Sequence, residues 1–382
     1  MSSVESLPVS FSTKSVNGDR YIGVVTLDKL SALNALGLDM IRLITPKLVE
    51  WRNDDNVVAV VLRGQGDKAF CAGGDVVSMH TAMVNSPRKT PEMLFNFFSE
   101  EYRLDYMIHT YNKPFVVWAN GIVMGGGMGL MNGASHRIVT ESSRIAMPEI
   151  TIGLFPDVGG TWFLPKMPGK TGLFFGLTGA SINATDALYV GLAEAFIAHE
   201  NYENFLSQLA SLDWSVSSVE AQKEQVTALC QQMQSADSEM MPSNNVESHR
   251  ATIDDLMTGS SIVQVIANFE KADFSDDKWL SRAKKSLING SPITAHIVFE
   301  QLERGQSLTL EECFKLEFNV ACRGSELGEF QEGVRALLID KDNAPNWQYK
   351  TVQDVPEEVI ESFFASQWPE DDHPMANLTI SE

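Results

Sequence analysis

Cysteine is scarce in this chain, basic residues are outnumbered, and no long apolar run is free of glycine and amide side chains. Four cysteines occur in 382 residues. Cys71, Cys230, Cys313 and Cys322 show no CxxC or CxxH spacing, which removes the usual zinc frameworks and gives no disulfide pattern. They read as reduced thiols of a cytoplasmic protein. Basic residues number 29 against 50 acidic ones, a formal net charge of −21. That charge repels phosphate backbones and anionic lipid surfaces, so neither a nucleic-acid nor a membrane partner is expected. A few local basic groups or a helix N-terminus can still hold a small phosphorylated molecule. The longest stretch without charge, residues 115–135, holds six glycines together with Asn120 and Asn132, which is too polar and flexible for a membrane span. The first 23 residues carry neither an apolar leader core nor an Arg-rich amphipathic pattern.

Several familiar signatures fail by one residue. Gly125–Leu130 resembles a dinucleotide loop but places leucine where GxGxxG needs its last glycine. Gly169-Lys170-Thr171 resembles the end of a phosphate-binding P-loop, yet Leu164 stands where the first glycine is required. Gly133-Ala134-Ser135-His136-Arg137 begins like a nucleophile elbow and lacks the closing glycine. The seven histidines show no HExxH or other ligand spacing, so no metal site is expected. No internal repeat of solenoid length is present.

What is present is ordinary globular material, 44% hydrophobic and 21% charged, in a first half that alternates strand and helix patterns. Residues 21–27, 57–63 and 115–119 are short β-branched or aromatic runs of the kind buried in parallel sheets. Between the first two, residues 35–51 place Leu36, Met40, Ile41, Ile44 and Leu48 at helical intervals. Residues 137–140 and 145–147 read as further strands. The segment 120–127 reads as a strand end opening directly into a helix. After about residue 200 the pattern becomes helical, with Pro292 at a first-turn position behind Asn289-Gly290-Ser291. The expected division is an α/β part, residues 1–205, carrying the active site, and a mostly helical part, residues 206–382. Residues 231–249 are expected as an exposed linker and residues 369–382 as a solvated acidic tail.

Three segments carry chemistry. Ala69-Phe70-Cys71-Ala72-Gly73-Gly74-Asp75 follows a strand with small residues whose successive amides can converge on one oxygen. Asn120–Gly127 brings a second set of amides to a helix N-terminus, where unsatisfied N–H groups favour an oxyanion. Each alone is equally a tight turn. Glu149 and Asp157 lie eight positions apart among apolar residues with a Gly/Pro turn between them. Desolvation there raises a carboxyl pKa toward general acid–base use, although capping roles are equally open.

Taken in order and spacing, FCAGGD at 70–75, EEY at 100–102, NGIVMGGGMGL at 120–130, MPEITIGLFPDVGG at 147–160 and EGVRALLIDKD at 332–342 resemble the crotonase (enoyl-CoA hydratase/isomerase) superfamily. The likeness covers residues 17–350, and the last two segments resemble its branch of 3-hydroxyacyl-CoA hydrolases. It implies a ββα spiral core with a helical C-terminal region, and a substrate that is an acyl thioester of coenzyme A. It also implies backbone N–H groups of Gly74 and Gly126 as the oxyanion hole, Glu149 as the catalytic carboxylate and Asp157 as a second essential acid. Glu101 is implied as a substrate-binding acid, and Ala72, Asp75 and Val76 as neighbours of the adenine end of coenzyme A. Hydratases of the family carry a second glutamate where this chain has Gly129, so thioester hydrolysis is expected over hydration. The expected substrate is 3-hydroxyisobutyryl-CoA, an intermediate of valine breakdown. No cofactor is expected beyond the coenzyme A of the substrate itself. A hydratase, isomerase or broader acyl-CoA hydrolase, and a scaffold that binds without catalysis, stay open. So do association into homo-oligomers and the groups that hold the phosphates, with Lys29 a candidate.

Overall fold

The structure, a computed structural model, describes residues 7–16, 18–216 and 218–380. Its main sheet has six strands: β1 (Val9–Ser15), β2 (Tyr21–Leu27), β3 (Val57–Gly64), β5 (Phe115–Ala119), β7 (His136–Val139) and β9 (Ala195–Phe196), in that spatial order. β1 runs antiparallel to β2 and the remaining pairs are parallel. A second, three-stranded parallel sheet holds β4 (Ala69–Cys71), β6 (Ile122–Met124) and β8 (Arg144–Ala146). From β3 onward the chain therefore alternates one strand of the large sheet with one strand of the small sheet. Helices α1 (Leu38–Asn53), α2 (Val76–Asn85), α3 (Glu92–His109) and α4 (Gly126–Asn132) lie between these strand pairs. This is a repeated ββα winding of an α/β fold.

The period of two along the central strands sorts their side chains onto two faces. Ile22, Val24, Val116, Trp118 and Ile138 face one cluster, which is closed by the helices Tyr202–Ala210 and Val219–Asp237. Val25, Leu27, Val60, Leu62, Val117 and Ala119 face the larger core, which runs continuously from Val9 to Leu378. Both faces being covered explains why these strands read as unbroken apolar runs. β1 is an edge strand with alternating exposed polar residues, so it carries no such run and the sequence pattern misses it. β4 and β6 were equally unexpected: three residues each are too short for a periodic pattern.

The helical second half appears as expected, and Ser291 caps Pro292–Gly305 with proline at its start. Of three expectations there, one is corrected and two hold in part. The boundary at 205/206 falls inside the helix Tyr202–Ala210, where Phe205 is fully buried. Residues 231–249 are largely exposed, as expected, but they are no free linker. Gln231–Asp237 are the end of a 19-residue helix, and Gln234 and Asp237 accept hydrogen bonds from the Phe196 and Ala198 amides at 2.9 and 2.8 Å. Asn245 and Val246 donate theirs to the buried Asp186 at 2.6 and 2.8 Å. Gln234 and Asp237 thus satisfy the backbone at and after β9, while the other polar side chains of the helix end stay in solvent. The acidic tail is solvated at Glu370, Asp371 and Asp372, as expected, but it is also anchored, because His373, Met375 and Leu378 are buried and His373 hydrogen-bonds to Asn319. Residues 381 and 382 lie outside the described part. All four cysteines are free and buried. No described helix is long and apolar enough to cross a membrane.

Candidate active site

The three chemistry-bearing segments are the carboxyl-end extensions of three neighbouring strands. Gly74 follows β4, Gly126 follows β6, and Glu149 opens a short 3-10 helix after β8. Carboxyl ends of parallel strands are the usual place for a ligand site, because the chain leaves the sheet there with unpaired backbone groups. A cavity of about 350 Å³ sits at this end, and Ala72, Gly74, Val76, Gly126, Glu101, Glu149 and Asp157 all line it. Apolar side chains make up much of its remaining wall, among them Phe97, Phe98, Met124 and Leu154.

Gly125 takes φ 45°, a left-handed conformation that aims the start of α4 back toward β4. A Cβ on Gly126 would lie 3.5 Å from the Gly74 nitrogen and 2.5 Å from Glu101 Oε1. The two glycines are thus adjacent, and neither amide donates a hydrogen bond within a turn, cap or side-chain contact among the described residues. That is the arrangement of a two-donor oxyanion hole.

Glu149 is 4% exposed and its Oε2 has no partner among the described residues. Burial, reinforced by Asp157, raises its pKa well above the ordinary glutamate value. Asp157 accepts a hydrogen bond from the Tyr102 hydroxyl at 2.7 Å, and burial lifts its pKa to about 6. Its turn is strained: Val158, a β-branched residue, adopts φ 52°. Two residues of the helical half hold that turn in place. Glu317 accepts the Gly159 and Thr161 amides at 2.8 Å each, and Gln301 donates to the Pro156 carbonyl at 2.6 Å. Glu101 projects from α3 with Oε1 unpartnered among the described residues, and burial together with Asp105, Asp157 and Glu317 raises its pKa.

Asp75 stands apart from the other expected site residues. It does not line the cavity; its carboxylate accepts from the Ser78 amide at 3.2 Å, capping α2, and pairs with Lys29 at 3.3 Å. Lys29 is therefore already engaged by a carboxylate. Several participants escaped the sequence reading. Tyr102 lay within the quoted EEY segment without a role, while Asp105, Glu317 and Gln301 sit mid-helix, where spacing alone does not distinguish an inward polar residue from a solvated one. Leu337 and Leu338 line the cavity from a single π-helical turn, Arg335–Ile339. That turn is pinned by Arg335, which reaches Glu332, Asp340 and Asp342 at 2.8, 2.6 and 2.8 Å.

An α/β spiral that brings two adjacent glycine amides and buried carboxyls to one cavity has the parts to stabilise an anion at an acyl carbonyl. The family described as enoyl-CoA hydratase/isomerase matches residues 22–364, and the chain belongs to it. Within that family the chain is 38% identical over 346 residues to the mitochondrial 3-hydroxyisobutyryl-CoA hydrolase of Danio rerio, covering 90% of this chain and 87% of that protein. It is 33% identical to the small ribosomal subunit protein mS47 of Neurospora crassa, over 87% of this chain and 67% of that one. A crystal structure titled as an enoyl-CoA hydratase from Rhodobacter sphaeroides superposes with TM-score 0.80 at 32% identity, covering 94% of this chain and 97% of that one.

Proposed function

We propose that this chain hydrolyses 3-hydroxyisobutyryl-CoA, releasing 3-hydroxyisobutyrate and coenzyme A. The observation that carries the proposal is the convergence of Glu149, Glu101 and Asp157 with the Gly74 and Gly126 amides on one cavity. The two amides polarise the thioester carbonyl and hold the oxyanion, each such donor supporting a rate gain of about 10²–10³. Glu149 supplies the carboxylate, either deprotonating water or attacking to form an acyl anhydride that water opens. Glu101 and Asp157 bind the 3-hydroxyl, and Asp157 is placed to return a proton to the departing sulfur. The coenzyme A belongs to the substrate, and the reaction as written uses water and these side chains alone.

Hydration is the second reading, favoured by the likeness to the structure titled a hydratase. Against it, position 129 has no side chain, and a Cβ there would lie 2.5 Å from Asp105 Oδ2. The likeness to mS47 brings in a non-catalytic reading, which the retained Glu149 and both glycines oppose. Thiol release from (S)-3-hydroxyisobutyryl-CoA, with crotonyl-CoA hydration followed in parallel, separates the three. Thiol release with a flat crotonyl trace supports hydrolysis, enoyl loss alone replaces it with hydration, and silence in both leaves a binding protein. In the hydrolase, Glu149→Gln is expected to lower kcat by about 10²–10⁴ with coenzyme A binding retained. The hydrolases it resembles are named as mitochondrial, and a cytoplasmic location for this chain is a proposal resting on its free, buried cysteines. Fractionation of cells holding the full chain tests it, and co-sedimentation with mitochondria overturns it.

A further inference from the structure

Helix α3 carries Glu101, Asp105 and His109 at successive i, i+4 positions, so the three lie in one row along its inner face. Opposite each stands a glycine of α4 or its C-terminal cap. A Cβ on Gly126 would lie 2.5 Å from Glu101 Oε1, one on Gly129 2.5 Å from Asp105 Oδ2, and one on Gly133 2.8 Å from the His109 ring. The absence of three β-carbons on one helix thus makes room for three ionisable side chains on the other. Among the described residues, Glu101 Oε1, both Asp105 carboxyl oxygens and His109 Nε2 are buried without a hydrogen-bond partner. Leaving such groups unsatisfied costs about 1–3 kcal/mol apiece, so the row is no device for stability.

The row also has direction. Glu101 lines the substrate cavity, Asp105 is fully buried, and His109 is the half-buried last residue of α3, with its Nε2 buried beside Gly159 and the charges of Arg137 and Lys166 within electrostatic reach. Four residues of helix advance about 6 Å along the axis, so successive side chains of the row are nearest neighbours on one face. Thioester hydrolysis releases a proton that such a row can carry away. The C–S bond breaks and a C–O bond forms from water; one water proton ends on the coenzyme A sulfur, and the other is set free when the carboxylic acid product ionises.

We propose that the seam between α3 and α4 is a proton conduit, in which Glu101, Asp105 and His109 carry the proton released by hydrolysis from the cavity to solvent near Lys166. The inference rests on the hydrolase reading for the source of the proton, and on the seam geometry alone for the path. The charged and titratable groups facing the row fit it. Asp157 and Glu317 press on Glu101 and Asp105 from the turn and the helical half, and with burial they favour neutral carboxyls that can donate. Burial, with Arg137 and Lys166, lowers the His109 pKa to about 4, so its ring is neutral near pH 7, accepting at one nitrogen and donating at the other.

Two measurements test this. In steady state, His109→Phe is expected to lower kcat by about 10² with KM unchanged, and added imidazole to restore turnover in a concentration-dependent way. An undiminished kcat, or a loss that imidazole leaves untouched, overturns the conduit. His109→Gln serves if the phenylalanine variant does not fold. The second measurement needs no turnover. Asp105→Asn identifies the infrared band of the neutral Asp105 carboxyl by its loss, and on dilution into D2O that band is expected to shift at least tenfold more slowly in His109→Phe than in the unmodified protein. Equal exchange rates, or no band lost in Asp105→Asn, overturn the proposal. Absence of thiol release in the unmodified protein defeats the hydrolase reading instead, and the infrared comparison still decides the path.

Discussion

A carboxyl group buried beside other carboxyls carries two consequences, one for selectivity and one for stability. Asp157 receives the Tyr102 hydroxyl on one oxygen, which leaves the other to meet the substrate. A site that holds a substrate hydroxyl through a buried carboxyl rejects the analogue lacking it, because its own polar group is then unpaired. Asp157→Asn is accordingly expected to narrow the preference for 3-hydroxyisobutyryl-CoA over isobutyryl-CoA by at least about tenfold, the worth of one charged hydrogen bond. A competition assay with both thioesters measures it, and an unchanged ratio removes Asp157 from hydroxyl recognition. Glu317 shows the second consequence. Burial lifts its pKa from 4.5 to about 8, although the Gly159 and Thr161 amides pull the other way. Between those values the native protein holds a proton that the unfolded chain has lost, so unfolding free energy falls as pH rises. Asp157 acts in the same sense from 3.8 to about 6. In Glu317→Gln the Glu317 part disappears, while one of two backbone hydrogen bonds is lost at every pH. Urea midpoints at pH 5, 6.5 and 8 should therefore show the variant weaker at pH 5 with the gap closing toward pH 8. A constant gap would sink this account of Glu317.

At the scale of elements, α4 has seven residues, all buried, and Gly126 and Gly129 give it almost no side-chain surface toward Glu101 and Asp105 of α3. Packing at that distance is what admits Asp105, and it fixes what position 129 can become. Gly129→Glu is expected to give no crotonyl-CoA hydration, because its Cβ would meet Asp105 Oδ2 at 2.5 Å and the Val158 Cβ at 2.8 Å. A drop in Tm of several degrees should accompany it, from overpacking of about 1–3 kcal/mol. A stable variant that hydrates crotonyl-CoA would show that the missing glutamate alone separates the two chemistries. The same seam marks the limit of what could be read from the chain. Gly74, Gly126, Glu149 and Asp157 stood in contiguous motifs, where glycine and carboxyl chemistry is local and legible. β2, β3 and β5 were legible because both their faces are covered. β4 and β6 were not, since their strand character comes from pairing with each other and with β8 across long sequence separation. Asp105, Glu317 and Gln301 were not, since a polar residue in a helix declares its direction only once its neighbours are placed.

For the whole molecule, a net charge of −21 sets a problem for a substrate whose coenzyme A half is strongly anionic. Lys29 is already paired with Asp75 at 3.3 Å, which leaves it little net positive charge to offer. A separate groove of about 780 Å³ shares Thr151 and Leu337 with the catalytic cavity and carries Arg282, Lys285 and Lys350. Arg282 and Lys285 lie three residues apart on one face of the helix Lys278–Asn289, and both are exposed. Against an acidic background such a patch concentrates the field where the phosphates must arrive, and its pull weakens as salt shortens the Debye length to about 8 Å at physiological strength. Lys285→Glu is expected to raise KM for 3-hydroxyisobutyryl-CoA about tenfold with kcat nearly unchanged, and Lys29→Ala to raise it about twofold, by ordinary surface ion-pair magnitudes. The KM of the unmodified protein should climb with sodium chloride more steeply than that of Lys285→Glu, because the variant has lost the charge being screened. If Lys29→Ala has the larger effect, or both proteins share one salt slope, the phosphates lie beside α2 and the groove at Lys285 plays no part in binding.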